Sequence, residues 1–385
     1  DLFRSALLVT AGLWVSAILV ACGDDVTNAD ANPPDAGSSD AMVDGSDVLL
    51  PLPPEPPPGT GPFRVGYRTF DYTYERPDGM SRTLKIDVWY PSSADRGMPV
   101  TYVGLFPDPH TLADVELATP PTDGFPVHVH SHGSQGFAAA SHDVMRHFAS
   151  HGWVSIAPDH VGHTLGDTPN PIPTELYYLR PWDISATLDA LDDLDASDPL
   201  AGHVRTDRVL LSGHSFGVLT SWSLMGATYD LARIGDRCDA GDVPSGMCSQ
   251  ADRDAFAAAT GDSRIAAGIV MAGRFAKEWY GEDGYRAVGV PVLSLTGGLD
   301  DVGAAGLFEE IEGVDYTWVE IATACHTLFS VGACTEIGDE EGWTIINAYA
   351  LAFGQLHLLD DRTGASILDG STPVSELATV QVKAR

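Results

Sequence analysis

Arg208-Val209-Leu210-Leu211-Ser212-Gly213-His214-Ser215-Phe216-Gly217 runs from an apolar strand into a glycine-flanked serine. The apolar run Val218-Leu219-Thr220-Ser221-Trp222-Ser223-Leu224-Met225 follows at once and reads as a helix. Strand, tight turn and helix with serine at the apex form the pattern of a nucleophile elbow. The turn forces the serine into a strained backbone, and only glycine leaves room on either side. The following helix then aims its N-terminus at the serine hydroxyl. The competing reading is an ordinary loop serine between glycines, and the strand–turn–helix context favours the elbow.

The chain around this elbow alternates strands with helices. Val65 to Tyr74 and Arg82 to Tyr90 are β-like, joined by the turn Arg76-Pro77-Asp78-Gly79. Residues 91–124 read as loop. Pro126 to His132, Trp153 to Ala157, Ile265 to Met271, Val290 to Leu295 and Val314 to Ile321 read as strands. Ala138 to Ser150, Pro181 to Leu194 and Trp343 to Leu358 read as helices, with Pro181 at a helix start and the last helix closing the domain. Residues 159–180 read as loop, and 230–262 as a cap-like insertion after the elbow helix. The alternation predicts an α/β fold: a mostly parallel central sheet with helices on both faces. Ligands of such sheets bind beyond the carboxyl ends of the strands, where Ser215 lies.

Serine alone is a poor nucleophile and needs a base and an orienting acid. With an elbow of this type, the acid and then the histidine follow the serine along the chain. Only His326 and His357 come after Ser215. His326 follows the strand at 314–321, whereas His357 lies late in the terminal helix, so His326 is the expected base. Pro291-Val292-Leu293-Ser294-Leu295-Thr296-Gly297-Gly298-Leu299-Asp300-Asp301 supplies the acid. Asp300 is the first choice and Asp301 the alternative, each also able to cap the segment from Val302. The oxyanion needs two backbone N–H groups. Phe216 offers one, and Ser134 in His132-Gly133-Ser134-Gln135-Gly136 is the candidate for the other.

Phe125-Pro126-Val127-His128-Val129-His130-Ser131-His132-Gly133-Ser134 resembles a segment of the platelet-activating-factor acetylhydrolase and dienelactone-hydrolase-like esterases. So do Ala149 to His160, Arg180-Pro181-Trp182-Asp183-Ile184-Ser185-Ala186 and the elbow itself. Pro291 to Asp300 and His326 resemble the acid and base segments of bacterial polyester hydrolases. The likeness covers about residues 64–370. It implies an α/β-hydrolase fold and a metal-free, cofactor-free serine esterase. There are three departures. Val218 stands where glycine is common, and the insertion at 230–262 is not shared. The strand Ile265 to Met271 also ends without the acid that the acetylhydrolases carry soon after the elbow.

Composition sets the surroundings. Hydrophobic residues make up 44% of 385, enough for a sizeable core, and the formal net charge is −33. That charge argues against nucleic acid and predicts repulsion from anionic membrane surfaces. Any attachment to a membrane must then be covalent or apolar. Arg4 precedes an apolar run from Ala6 to Val20, ending in Leu19-Val20-Ala21-Cys22. This resembles a bacterial lipoprotein signal over residues 1–21, with Cys22 the lipid-bearing residue. The chain begins at Asp1, so its native start is expected upstream. A marginal transmembrane helix is the competing reading. Residues 22–60, rich in Asp, Pro, Ala and Ser, read as a disordered acidic tether before a catalytic domain at 61–385. The remaining cysteines fall in two close pairs, which predicts disulfides Cys238–Cys248 and Cys325–Cys334 in an exported protein. The second would brace the His326 loop. Two rivals remain. His128, His130 and His132 alternate on one strand and could hold a metal, with Asp159, His160 and His163 adding ligands. Alternatively, the chain is an inactive anchored binding protein. The expected substrate is a small-molecule, lipid or polyester ester.

Overall fold

The computed structural model describes residues 50–243 and 248–385. The signal-like segment, Cys22 and the tether as far as residue 49 lie outside the described residues. Eleven strands join one sheet: β1 (Arg64–Glu75), β2 (Ser81–Ser92), β3 (Pro99–Tyr102), β4 (Phe106–Ala113), β5 (Phe125–Ser131), β6 (Val154–Pro158), β7 (Val204–His214), β8 (Ile265–Met271), β9 (Val292–Gly297), β10 (Tyr316–Ile321) and β11 (Ala378–Lys383). Their order is β11-β10-β9-β8-β7-β5-β6-β2-β1-β4-β3. Neighbours from β10 to β6 run parallel. Antiparallel pairing attaches β2 and then β1 at one side, and β11 at the other.

The intervening helices are α1 (His142–Ser150), α2 (Leu176–Asp192), α3 (Phe216–Leu224), α4 (Leu231–Ala240), α5 (Gln250–Ala258), α6 (Lys277–Tyr280), α7 (Ala304–Glu310), α8 (Asp339–Leu359) and α9 (Ala365–Leu368). They divide the core in two. Ile184 and Leu188 of α2 pack with Val218 and Trp222 of α3 in one cluster. Phe148 of α1 packs with Ile346 and Tyr349 of α8 in the other. Strands covered on both faces should be apolar throughout, and every residue of β5, β6 and β9 is buried.

Several expectations are corrected. Residues 91–124 contain β3 and β4. Pro107 lies in the half of β4 that pairs only with β3, while Thr111 to Ala113 pairs with β1, so no interior ladder bond is lost to proline. The helix expected from Pro181 starts at Leu176, inside the expected loop. Pro181 cannot donate to the Tyr177 carbonyl one turn back. The Tyr229 hydroxyl donates to that carbonyl instead, at 2.6 Å. Finally, α8 does not close the domain, because α9 and β11 follow it and β11 pairs with β10.

Within 230–262 the described residues include α4 and α5. Phe256 of α5 packs edge-on against Tyr178 and Tyr229. Cys238 and Cys248 are at disulfide distance, with Cα atoms 5.7 Å apart, and so are Cys325 and Cys334, at 5.8 Å. Disulfides persist in oxidising compartments, so the pairs point to an extracytoplasmic protein. No helix among the described residues is long and apolar enough to cross a membrane.

Candidate active site

Ser215 sits between β7 and α3 with φ 54° and ψ −114°, a region that side-chain-bearing residues rarely occupy. Its neighbours explain how the turn closes. A Cβ on Gly213 would meet the Gly217 carbonyl and Ser221 Oγ, and one on Gly217 would meet the Ser131 carbonyl. The Ser215 amide donates to the Met271 carbonyl at 3.0 Å, tying the elbow to the end of β8. Val218, where glycine is common, fits because Gly273 faces it. A Cβ on Gly273 would press on the Val218 side chain.

Ser215, His326 and Asp300 come together. His326 Nε2 lies 2.9 Å from Ser215 Oγ, and His326 Nδ1 lies 2.7 Å from Asp300 Oδ2. Asp300 hangs from the loop after β9, and His326 from the loop after β10. Asp301 points elsewhere and accepts from the Gly303 amide at 3.1 Å, just before α7. His357 lies in the last turn of α8 against the Phe353 ring. His214 went unnoticed in the sequence. Its Nε2 is 3.2 Å from the His326 carbonyl, and burial pushes its pKa down to about 3. It is thus a neutral donor that fixes the backbone of His326. Its place as the variable residue in Gly-x-Ser-x-Gly was the only signal.

The loop after β5 passes close to the elbow: a Cβ on Gly133 would lie 3.3 Å from Ser215 Cβ. Among the described residues, neither the Ser134 nor the Phe216 N–H has a protein acceptor. Behind this loop lies a buried polar network. Arg180 Nη1 is 3.1 Å from His163 Nδ1, and His163 Nε2 is 2.9 Å from Ser134 Oγ. Arg180 Nη2 donates to Ser131 Oγ at 3.0 Å and to the His132 carbonyl. Its guanidinium also sits 4.9 Å from the Phe216 ring centroid. In the sequence, Arg180 stands out only within a resemblance and His163 only as a metal candidate.

The alternating histidines are fully buried and bonded to the protein, except that His130 Nε2 has no hydrogen-bond partner among the described residues. His128 contacts Ser155 Oγ at 3.2 Å and Ser212 Oγ at 2.7 Å, and His130 Nδ1 also contacts Ser212 Oγ at 2.7 Å. His132 Nδ1 donates to the Gly133 carbonyl, while its Nε2 accepts from the His160 amide at 3.1 Å. Among the described residues, no three His, Cys, Asp or Glu side chains are grouped to hold a metal.

Two clefts meet at Ser215 and His326. One, of about 300 Å³, is lined by Tyr177, Phe216, Leu219, Arg274 and Val302. The other, of about 370 Å³, is lined by Phe106, Phe137, Leu165 and Val331. Ser134 borders both.

No family model and no curated protein matches the chain. Among solved structures, it is similar to a ferulic acid esterase from Streptomyces cinnamoneus, with TM-score 0.58 and 17% identity. The match covers 83% of this chain and 96% of that one. With its parallel core, strand–turn–helix elbow and paired helical faces, the chain has an α/β-hydrolase fold.

Proposed function

We propose that this chain is a serine esterase that cleaves carboxylic esters with short- to medium-chain or lipid-like acyl groups. The observation that carries this reading is the hydrogen-bonded run Asp300–His326–Ser215, set on a strained elbow where two clefts meet. The structural neighbour named as a ferulic acid esterase supports the same reaction class.

Ser215 Oγ attacks the ester carbonyl carbon as His326 Nε2 takes its proton. The negative charge that forms on the carbonyl oxygen is met by the N–H groups of Phe216 and Ser134. Asp300 accepts from His326 Nδ1–H, holding the tautomer and stabilising the imidazolium. His326 returns the proton to the leaving alcohol, and an acyl-serine remains. Water deprotonated by His326 attacks that ester, the acid leaves, and Ser215 recovers its proton. Two clefts supply separate room for acyl and alcohol portions. Cys22 provides the lipid anchor in this reading, holding the domain at a membrane while the acidic surface repels anionic headgroups.

The test is hydrolysis of p-nitrophenyl esters from acetate to palmitate by the full chain, with and without a serine-reactive phosphonate. Turnover abolished by the phosphonate and by Ser215→Ala, with unchanged circular dichroism, is expected. Ser215→Ala at wild-type rates sinks the mechanism.

A further inference from the structure

We infer that the Ser134 side-chain hydroxyl is a third donor to the oxyanion, oriented by a buried Arg180–His163 relay. The inference rests on the esterase reading above and adds a side-chain group to its two amides.

A guanidinium can only donate hydrogen bonds. Arg180 Nη1 faces His163 Nδ1 at 3.1 Å, so that nitrogen must be the bare acceptor. Burial pushes the His163 pKa down to about 3, which keeps the ring neutral. A neutral imidazole with a bare Nδ1 carries its proton on Nε2. Nε2–H therefore donates to Ser134 Oγ across 2.9 Å. The serine oxygen is the acceptor in that pair, and its own proton must point elsewhere. Among the described residues Ser134 Oγ has no second partner. Ser134 is exposed and borders both clefts beside Ser215. A substrate oxygen held by the Ser134 and Phe216 amides is the acceptor that this hydroxyl faces.

Arg180 itself supports the assignment. It is fully buried, and among the described residues it makes no ion pair. An unpaired buried charge is expensive. Its Nη donors go to Ser131, His132 and His163 and its face to the Phe216 ring, while its Nε has no partner among the described residues. Both segments that offer oxyanion amides are thus held by one cation. Arg180 and His163 are positioning residues, and the Ser134 hydroxyl is the group that touches substrate.

The experiment measures kcat, KM and the Kd of an alkyl boronic acid, a tetrahedral mimic, for the full chain. The variants are Ser134→Ala, His163→Leu, His163→Gln and the Ser134→Ala/His163→Leu pair. Ser134→Ala keeps the backbone amide. It is expected to lower kcat about ten- to hundredfold, less than loss of a principal donor, with KM within about twofold. Boronate affinity should fall by the same factor. His163→Leu should lower kcat in wild type and add nothing to Ser134→Ala, because both act through one hydroxyl. His163→Gln can accept from Arg180 and donate to Ser134, and should recover most of the loss. Ser134→Ala with kcat and boronate affinity within about twofold of wild type overturns the inference and leaves the esterase reading standing. So does a double variant whose loss is the product of the single losses. Absence of wild-type turnover on every ester overturns both.

Discussion

Two adjacent carboxylates compete for the acid of the proposed triad, and Asp300 is the one we propose. Asp300 reaches His326 Nδ1 at 2.7 Å, while Asp301 accepts from a backbone amide two residues on. Asp300→Asn should therefore lose about 10³- to 10⁴-fold in kcat, because the amide favours the wrong histidine tautomer. Asp301→Asn should stay within a few-fold of wild type. Steady-state kinetics on one ester checks both, and equal losses would remove the assignment. The elbow could be read from the sequence because its cause is local. Glycines at 213 and 217 are demanded by atoms of the turn and of the adjoining β5 end. His214, His163 and Arg180 could not be read in the same way. Their partners lie on other elements, and nothing in a lone His or Arg codon announces a fold-dependent contact. Asp300 against Asp301 stayed open for a related reason: the strand and turn point to the pair, but only side-chain direction separates them.

At the scale of elements, proline shows how tertiary contacts move a boundary. Pro181 signals a helix start, yet α2 continues five residues upstream of it. The Tyr177 carbonyl that the proline leaves without a donor is paired with the Tyr229 hydroxyl, from the segment just before α4. Tyr229→Phe should then cost about 1–3 kcal/mol, the penalty of a buried unpaired carbonyl. In a Pro181→Ala background the alanine N–H can serve the same carbonyl, and the cost should shrink to a few tenths. Urea unfolding of the four proteins reads the coupling, and additive losses would reject it. The Cys325–Cys334 bridge makes a second case. It closes the loop that carries His326, and the Cys325 amide also points at Cys334 Sγ at 3.0 Å. Replacing both cysteines by serine should cost about 2–3 kcal/mol of stability through loop entropy. The kcat should fall with it as His326 loosens. Unchanged kcat in a verified bridge-free protein would separate the bridge from catalysis.

Across the whole molecule, buried histidines make folding sensitive to mild acid. Burial pushes His128, His163 and His214 down to about 3, against an ordinary value of about 6.5 in an unfolded chain. Between those values the unfolded chain binds protons that the folded chain refuses, so stability falls as pH falls below 6.5. Asp87 works the other way. Burial raises it to about 6, so the folded state takes up its proton first and gains stability as pH drops through that value. From pH 7.5 to 5.5 each histidine removes about 1.4 kcal/mol, and the aspartate returns somewhat less than one. For these three histidines and Asp87 the balance is a loss on the order of 3 kcal/mol, and His130, His132, His147 and His160, which burial also pushes down, deepen it. The net charge of −33 does not mask it, because ordinary carboxylates stay ionised across this window and their repulsion barely changes. Urea midpoints at the two pH values in about 0.5 M salt, where long-range repulsion is screened, isolate the effect. A His128→Gln variant should recover about 1.4 kcal/mol of the loss. Stability that is flat or rising toward pH 5.5 would mean that the folded protein admits protons to these rings, and the buried network behind the elbow would then have to be charged.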